Sequence, residues 1–201
     1  MTEHNTSISR SKQLKAATST THDSLDKRVM AADIFANRDN FARFLRVQYR
    51  FHRDIDALYS HAGLLALVPD LAERRRLPRI SHDLLDLGSD VPAETAPAVD
   101  AGITLPEALG WLYVAEGSNL GGTVLFKLAR ERLQLGADFG ARHLAAHADG
   151  AARHWRSFTA VLDAAELAAA HEALVVEGAR TAFQTVRAYV DEELHADPAV
   201  A

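Results

Sequence analysis

The chain has 201 residues, a formal net charge of −5 and no cysteine. This length suits one domain with a sizeable core, and the lack of cysteine excludes disulfides, thiolate-ligated metal or iron–sulfur sites and a cysteine nucleophile. The acidic balance predicts no nucleic-acid partner, and the lack of a long apolar run or a signal-peptide core predicts a cytoplasmic protein with no membrane segment. We also expect a monomer.

The apolar residues recur at three- and four-residue spacing along nearly the whole chain, and no segment alternates as a strand does. This pattern predicts an all-α fold of about eight helices. Residues 1–10 are predicted to be disordered, and residues 11–196 to form a single helical domain.

The first predicted helix, about residues 9–30, carries a histidine with a carboxylate one turn later. His22 and Asp26 are four residues apart and Lys15 precedes His22 by seven, so the three side chains lie near one face. A carboxylate so placed can accept the imidazole Nδ1–H and leave Nε2 free to bind a metal. The alternative is an ordinary exposed histidine with ion-paired neighbours.

The part of the chain between residues 31 and 102 is predicted to hold three helices, a basic run and a linker. The helices span about 38–59, 64–68 and 80–87. The basic run, residues 74–76, is expected to be a solvated face. Residues 89–102, which include two prolines, form the linker.

The stretch 110–127 has the apolar spacing of a helix but contains glycines at its centre. Gly117, Gly121 and Gly122 each cost about 1 kcal/mol relative to alanine in a helix interior. The spacing of 117 and 121 puts two bare backbone patches on one side, where a flat body could lie, and permits a bend. The alternatives are that the glycines admit a closely packed neighbouring helix, or that one helix ends at Gly117 and another begins at Ser118.

The ends of this central helix are marked by local signals. A capping box at residues 104–107 starts it, and the helical pattern ends near residue 133, before Gly136. Two further helices are predicted over about 148–162 and 166–194.

Four motifs occur in a specific order along the chain. They are Thr21-His-Asp-Ser-Leu25, Arg38-Asp-Asn-Phe-Ala-Arg-Phe44, Gly110-Trp-Leu-Tyr-Val-Ala-Glu-Gly-Ser-Asn-Leu-Gly-Gly122 and Phe139-Gly-Ala-Arg-His-Leu144. Together they resemble the bacterial haem oxygenases of the iron-acquisition type. The resemblance covers most of the chain and implies an enzyme that uses O₂ and electrons to cleave haem to biliverdin, ferrous iron and CO. The electrons would come from a reductase or ferredoxin-like donor.

The resemblance also implies roles for single residues. His22 takes the position of the axial iron ligand, and the glycine-bearing helix that of a kinked distal helix whose backbone approaches the O₂ on the iron. Haem would lie between these two helices. Ser118 stands where some members use an aspartate to order a distal water, and Arg76 aligns with an arginine of the distal network.

The two propionates of haem need cations at the edge of the pocket. Lys15 resembles the propionate-binding lysine of the family and Tyr113 its hydroxyl-bearing neighbour, with Arg153 and Arg156 as further candidates. Phe183 on the last helix is expected to pack against the porphyrin, or to be an ordinary core residue.

The same resemblance predicts which isomer of biliverdin is formed. Lys15 and Tyr113 match the members that place the α-meso carbon under the bound O₂, which implies biliverdin IXα. Two other readings remain: a haem-binding or trafficking protein of the same fold without turnover, and a relative that has lost haem. The distal glycines argue against the first and His22 against the second.

Overall fold

The computed structural model describes residues 8–93 and 95–195. Within them the chain forms eight α-helices and three short 3₁₀ turns, with no β-strand. The helices are α1 (Arg10–Ala31), α2 (Arg38–Asp54), α3 (Ala62–Leu67), α4 (Leu71–Arg74), α5 (Leu77–Asp86), α6 (Leu105–Leu133), α7 (Ala151–Ala164) and α8 (Glu172–Leu194). The 3₁₀ turns are Asp56–Ser60, Arg142–Leu144 and Ala169–His171. The all-α prediction is confirmed, and none of these helices could cross a membrane.

The N-terminal end of α1 is held against the far end of the chain. Of the residues predicted to be disordered, 1–7 lie outside the described part of the chain, as does residue 196 at the predicted end of the domain. Arg10 begins α1, and its guanidinium donates to the carbonyl of Ala165 at 3.0 Å and pairs with Glu172 at 2.7 Å. These bonds fix the start of α1 beside the start of α8.

Helix α1 runs alongside α8 in the same direction. The pairs that join them follow in order along both helices: Arg10 with Glu172, the His22 ring with the Phe183 ring, and Arg28 with Asp191 at 2.5 Å. This alignment places the face of α1 that carries His22 beside the middle of α8.

Helix α6 is one unbroken helix of 29 residues. Its capping box forms as predicted, with the Glu107 carboxylate accepting the Thr104 backbone N–H at 3.2 Å. It ends where Gln134 adopts a left-handed conformation, with φ of 58°. The alternative in which one helix ends at Gly117 is therefore wrong.

Two glycines allow α6 and α8 to cross with their backbones almost in contact. A Cβ built on Gly110 would lie 2.1 Å from the carbonyl oxygen of Val175, and one on Gly178 would lie 2.3 Å from the carbonyl oxygen of Glu107. No side chain fits at either position, so the two glycines set the distance between the helices.

The structure corrects two local predictions between α2 and α5. The helix predicted over 38–59 ends at Asp54 and continues only as a 3₁₀ turn. The basic run is not a solvated face, because Arg74 is 1% and Arg76 4% exposed; only Arg75 points outward, toward Asp56. A buried carboxylate from α6, Glu116, accounts for the burial of Arg74, as described below.

Candidate functional site

His22 lies on the exposed part of α1 with its imidazole between two carboxylates and a phenyl ring. Its Nδ1 is 3.3 Å from Oδ2 of Asp26 and 3.8 Å from Oδ1 of Asp23. The first distance is slightly longer than an ordinary hydrogen bond, in line with the short reach of an aspartate at this position. The side chain of His22 is 55% exposed. Because the acids approach Nδ1, Nε2 is the nitrogen free to bind a metal.

Phe183 of α8 supports the His22 ring from one side. The two ring centroids are 6.0 Å apart with an interplanar angle of 75°, an edge-to-face arrangement. Phe183 itself is only 6% exposed. It therefore belongs to the core and also borders His22. That Phe183 packs against a porphyrin stays a prediction.

The distal glycines differ from the glycines at the helix crossing. A Cβ on Gly121 would meet nothing within 4 Å, and one on Gly117 would meet only the Trp155 ring, at 3.9 Å. A Cβ on Gly122 would make ordinary contact with Leu144, at 3.4 Å. Close helix packing thus explains Gly110 and Gly178 but does not require a glycine at position 117 or 121. The backbone of Gly121 faces open space, and that of Gly117 has only the Trp155 ring in contact distance.

Tyr113 joins the two helices that carry His22 and the glycines. It is 8% exposed, and its ring lies 5.6 Å from that of Trp155. Burial raises the pKa of the Tyr113 phenol, and a hydrogen bond with Thr18 of α1 acts in the opposite direction. His22 lies one turn after Thr18 on α1, and Gly117 lies one turn after Tyr113 on α6. Lys15 is exposed one turn before Thr18 on α1.

A small polar cavity lies against the inner side of α6, close to Gly117. Its walls come from the residue that precedes α5, from α6, from the segment between α6 and α7, and from α7. It is lined by Arg76, Glu116, Asn119, Leu120, Ala146, His147, Ala151, His154 and Trp155. Arg76 is one of the residues that line this cavity, and burial lowers the pKa of its guanidinium. Its role as a distal arginine stays a prediction.

Glu116 is the charged residue of α6 at this cavity, and it forms a buried ion pair with Arg74. Nη1 of Arg74 lies 2.5 Å from Oε2 of Glu116, and both side chains are 1% exposed. Burial raises the pKa of Glu116, and the charge and hydrogen bond of Arg74 oppose that rise. Asp70 also pairs with Arg74, at 2.9 Å, so this arginine ties α4 to the inner side of α6.

Asn119 and His154 complete the polar side of the cavity. The Asn119 amide donates to Oε1 of Glu116 at 3.4 Å. The His154 ring stacks on that of His147, with centroids 4.5 Å apart. Burial, with the nearby Arg74 and His147, lowers the pKa of His154 to about 4, so its imidazole is neutral at physiological pH.

The remaining predicted residues lie at the outside of this region. Ser118 is exposed on α6 and is not among the residues that line the cavity, whereas its neighbour Asn119 is. Arg153 and Arg156 are exposed on the side of α7 opposite its buried residues His154 and Phe158. The described residues give neither arginine an ion-pair partner.

Sequence reasoning missed four polar residues of this site: Arg74, Glu116, Asn119 and His154. One signal was available, because Glu116 interrupts an otherwise apolar face just before Gly117. A charged residue at a core position of a helix requires a buried partner. The partner itself could not be identified, since Arg74 is 42 residues away in the chain.

The residues present fit a haem group at this place. An uncovered stretch of helical backbone at Gly117 and Gly121 suits a flat macrocycle and a small ligand on its iron, and an exposed imidazole with a free Nε2 suits the iron itself. Within the described residues, no cluster of three or more metal-binding side chains offers an alternative metal site.

Comparison with known proteins gives one consistent result. The protein-family model described as "Heme oxygenase" matches residues 9–192. Heme oxygenase PigA of Pseudomonas aeruginosa is 45% identical over 174 residues, covering 87% of each chain. A heme oxygenase of Xanthomonas campestris is 34% identical, covering 72% of this chain and 85% of its own. The NO- and CO-bound heme oxygenase of Neisseria meningitidis superposes with a TM-score of 0.87 at 38% identity, covering 96% of this chain and 95% of that one.

Proposed function

Because this chain belongs to the haem oxygenase family, and is a haem-degrading enzyme, we propose that it holds haem between α1 and α6 with His22 as the axial iron ligand. The observation that carries this proposal is the backbone of α6 at Gly121, which is open, and at Gly117, which only the Trp155 ring approaches. At Gly110 of the same helix, by contrast, α8 covers the backbone closely. Two glycines that cost helix stability without serving helix packing are explained by a ligand that lies against them.

The side chains around the proposed site have different roles on the His22 side and on the α6 side of the haem. Asp26 orients the His22 imidazole so that Nε2 faces the iron, while Phe183 limits its rotation. On the other face, Arg76 and Asn119 border a polar cavity that can hold a proton-donating water close to Gly117. Haem, when bound, supplies the iron that binds O₂ and the ring that is cleaved.

The cationic edge of the proposed site is at Lys15. Lys15 is exposed on α1 one turn before Thr18, the residue that hydrogen-bonds Tyr113, so a propionate can pair with the amine and accept a hydrogen bond from the Tyr113 hydroxyl. Arg153 and Arg156 remain candidates for the second propionate. The electron donor is an external reductase or ferredoxin-like protein, since the chain has no cysteine to ligate an iron–sulfur cluster of its own.

The experiment that tests the function follows the absorption spectrum of the purified protein after haemin is added. We expect a Soret band that saturates at one haem per chain. Once a reductase system and O₂ are supplied, this band should disappear as biliverdin forms. A stable Soret band that persists through reduction in air would instead identify a haem-binding protein without turnover.

The anchoring of the propionates predicts the isomer of the product. With Lys15 and Tyr113 holding one propionate, we expect biliverdin IXα as the main product, and a mixture of isomers from Lys15→Ala, because haem could then rotate about the iron axis. Chromatography of the extracted pigment against the four isomers measures this directly. A wild-type product dominated by the β or δ isomer would contradict it.

Replacing the distal glycine Gly121 with alanine is predicted to stabilise the fold but to reduce activity. Alanine at Gly121 meets no neighbour and is a better helix former, so we expect Gly121→Ala to raise the free energy of unfolding by about 0.4–1 kcal/mol. The same methyl group would occupy the space of the O₂, so biliverdin formation should fall by about tenfold or more.

Gly122→Ala is the matched control for that variant, because its methyl group would contact Leu144 rather than the open side of α6. Turnover should change much less in Gly122→Ala. Unchanged biliverdin yield in Gly121→Ala and Gly117→Ala, with haem bound normally, would contradict a close approach of the backbone to the bound O₂.

A further inference from the structure

The motif at residues 139–144 turns the chain back after α6, and its turn Arg142–Leu144 packs against both α5 and α6. Gly140 permits the reversal, because its φ of 73° lies in the left-handed region. A Cβ on Gly140 would also lie 2.8 Å from the Leu135 side chain. Ala141 is fully buried. Segment 139–145 therefore lies between two helices, one of which is the helix that carries the distal glycines.

Two aspartates of α5 hold segment 139–145 from one side. Asp83 is fully buried, and it accepts the backbone N–H groups of Arg142 and His143 at 2.9 and 3.0 Å. Its Oδ2 also lies 2.8 Å from Nδ1 of His143. Asp86 accepts the backbone N–H of Gly140 at 2.7 Å, and both carboxylates pair with the Arg142 guanidinium. Because hydrogen bonds to charged groups are the strong ones, α5 fixes the path of the segment.

The end of the segment rests on α6 beside the open glycine. A Cβ built on Gly122 would lie 3.4 Å from the Leu144 side chain and 3.9 Å from the Cα of Leu144. Gly122 directly follows Gly121, whose own Cβ position has no atom within 4 Å. The next residue of the segment, Ala145, accepts a hydrogen bond from Nη1 of Arg76 at 3.3 Å, and Arg76 lines the polar cavity. The segment thus contacts the surroundings of the proposed distal site at two points.

This part of α6 needs support from outside the helix. Three of the six residues 117–122 are glycine, and glycine leaves the backbone more freedom than any other residue does. We infer that Asp83 and Asp86 are positioning residues for haem cleavage. Through segment 139–145 they hold Leu144 against α6, and Leu144 sets how closely the backbone of Gly121 approaches the O₂ on the iron. The inference rests on the proposed haem site between α1 and α6.

Amide hydrogen exchange of the haem-free chain tests the contact without any catalysis. Leu144→Ala removes the side chain that covers Gly122, and we expect the amides of residues 117–125 to exchange about tenfold faster. Leu144→Met conserves the volume and should exchange as wild type does. Leu194→Ala controls for lost stability, because Leu194 is also 7% exposed but lies at the end of α8. Equal exchange of residues 117–125 in Leu144→Ala and Leu194→Ala would overturn the inference.

The complexes with haem separate positioning from binding. Leu144→Ala should bind haem with an unchanged Soret band and KM, because no Leu144 atom lies within 4 Å of the Cβ position of Gly121. Its kcat should fall by about tenfold, since a small misplacement of the distal backbone is enough to slow the reaction. The ferrous complex should also lose CO faster than that of wild type. Leu144→Met should restore both rates.

A double-mutant cycle connects the aspartates with Leu144. Asp83→Asn replaces a carboxylate oxygen that accepts from His143 with an amide, and it should lower kcat alone. If Asp83 acts through Leu144, adding Asp83→Asn to Leu144→Ala should lower kcat little further. Asp86→Asn gives the same cycle if Asp83→Asn does not fold, because the Asp86 side chain is 20% exposed. Losses that multiply in the double variants would show that the aspartates act elsewhere.

The failure of this inference is distinguishable from that of the proposed function. If wild type binds no haem, the proposed haem site fails and the positioning role fails with it. If wild type binds and cleaves haem, and Leu144→Ala does so with the same kcat and the same rate of CO loss, only the positioning role is overturned. Alanine at Gly122 would meet Leu144 at an ordinary contact distance, so Gly122→Ala keeps the support that Leu144→Ala removes.

Discussion

Replacing Gly178 with alanine is expected to lower the free energy of unfolding by about 3 kcal/mol. The added Cβ would lie 2.3 Å from the carbonyl oxygen of Glu107 and 3.0 Å from its carbonyl carbon. These are backbone atoms inside α6, which cannot move aside as the end of a flexible side chain can, so one helix must shift away from the other. Urea denaturation followed by circular dichroism at 222 nm measures the loss.

The shift should also change the proposed haem site, because α6 carries the distal glycines and α8 carries Phe183. We expect weaker haem binding in Gly178→Ala, and Gly110→Ala should behave alike, since its Cβ would lie 2.1 Å from the Val175 carbonyl oxygen. Gly121→Ala serves as the control for the unfolding measurement alone, as it makes the same chemical change in a helix interior with nothing within 4 Å. A free energy of unfolding within about 0.5 kcal/mol of wild type would show that the crossing tolerates a side chain.

Replacing His22 with alanine is expected to remove turnover by about a hundredfold or more while the chain stays folded. Loss of a residue that only orients a ligand typically costs about 10–100-fold, so loss of the ligand itself should cost more. The side chain of His22 is 55% exposed, and its packing with Phe183 is the only aromatic contact it makes among the described residues, so little stability depends on it.

The absorption spectrum of bound haem tests the ligand role of His22 more directly than the turnover of His22→Ala does. Haem that still enters the site should show a shifted Soret band and an altered ferrous–CO spectrum, and added imidazole should restore part of the wild-type spectrum by filling the space. His82→Ala is a suitable control, because His82 is also exposed but lies on α5. An unchanged ferrous–CO spectrum in His22→Ala would place the axial ligand elsewhere.

The helices and their ends could be predicted because the signals are local. The capping box that begins α6 and the Gly88 that follows α5, with φ of 65°, depend on residues within one turn of each other. The predicted helix over 38–59 was too long because the apolar spacing continues past Ile55. The chain forms a 3₁₀ turn over Asp56–Ser60 instead, and apolar spacing alone does not distinguish such a turn from a further turn of α-helix.

Several site residues could be proposed from the sequence for the same reason. His22 and Asp26 are neighbours on any helix, and Gly117 and Gly121 share a face on any helix, so their relations follow from spacing alone. Spacing alone did not show which glycines serve helix packing. Gly110 differs from Gly121 because α8 crosses α6 there at Gly178, which is 68 residues further along the chain.

The sequence by itself determined the all-α fold, the local geometry around His22 and the family to which the chain belongs. Only the tertiary structure decided which arginines of the basic run are buried: Arg74 pairs with Glu116 inside the protein, while Arg75 faces solvent. Three adjacent arginines look alike in a sequence. Their burial depends on whether a carboxylate from another helix lies close enough to offset the cost of removing the charge from water, and that distance exists only once the helices have packed.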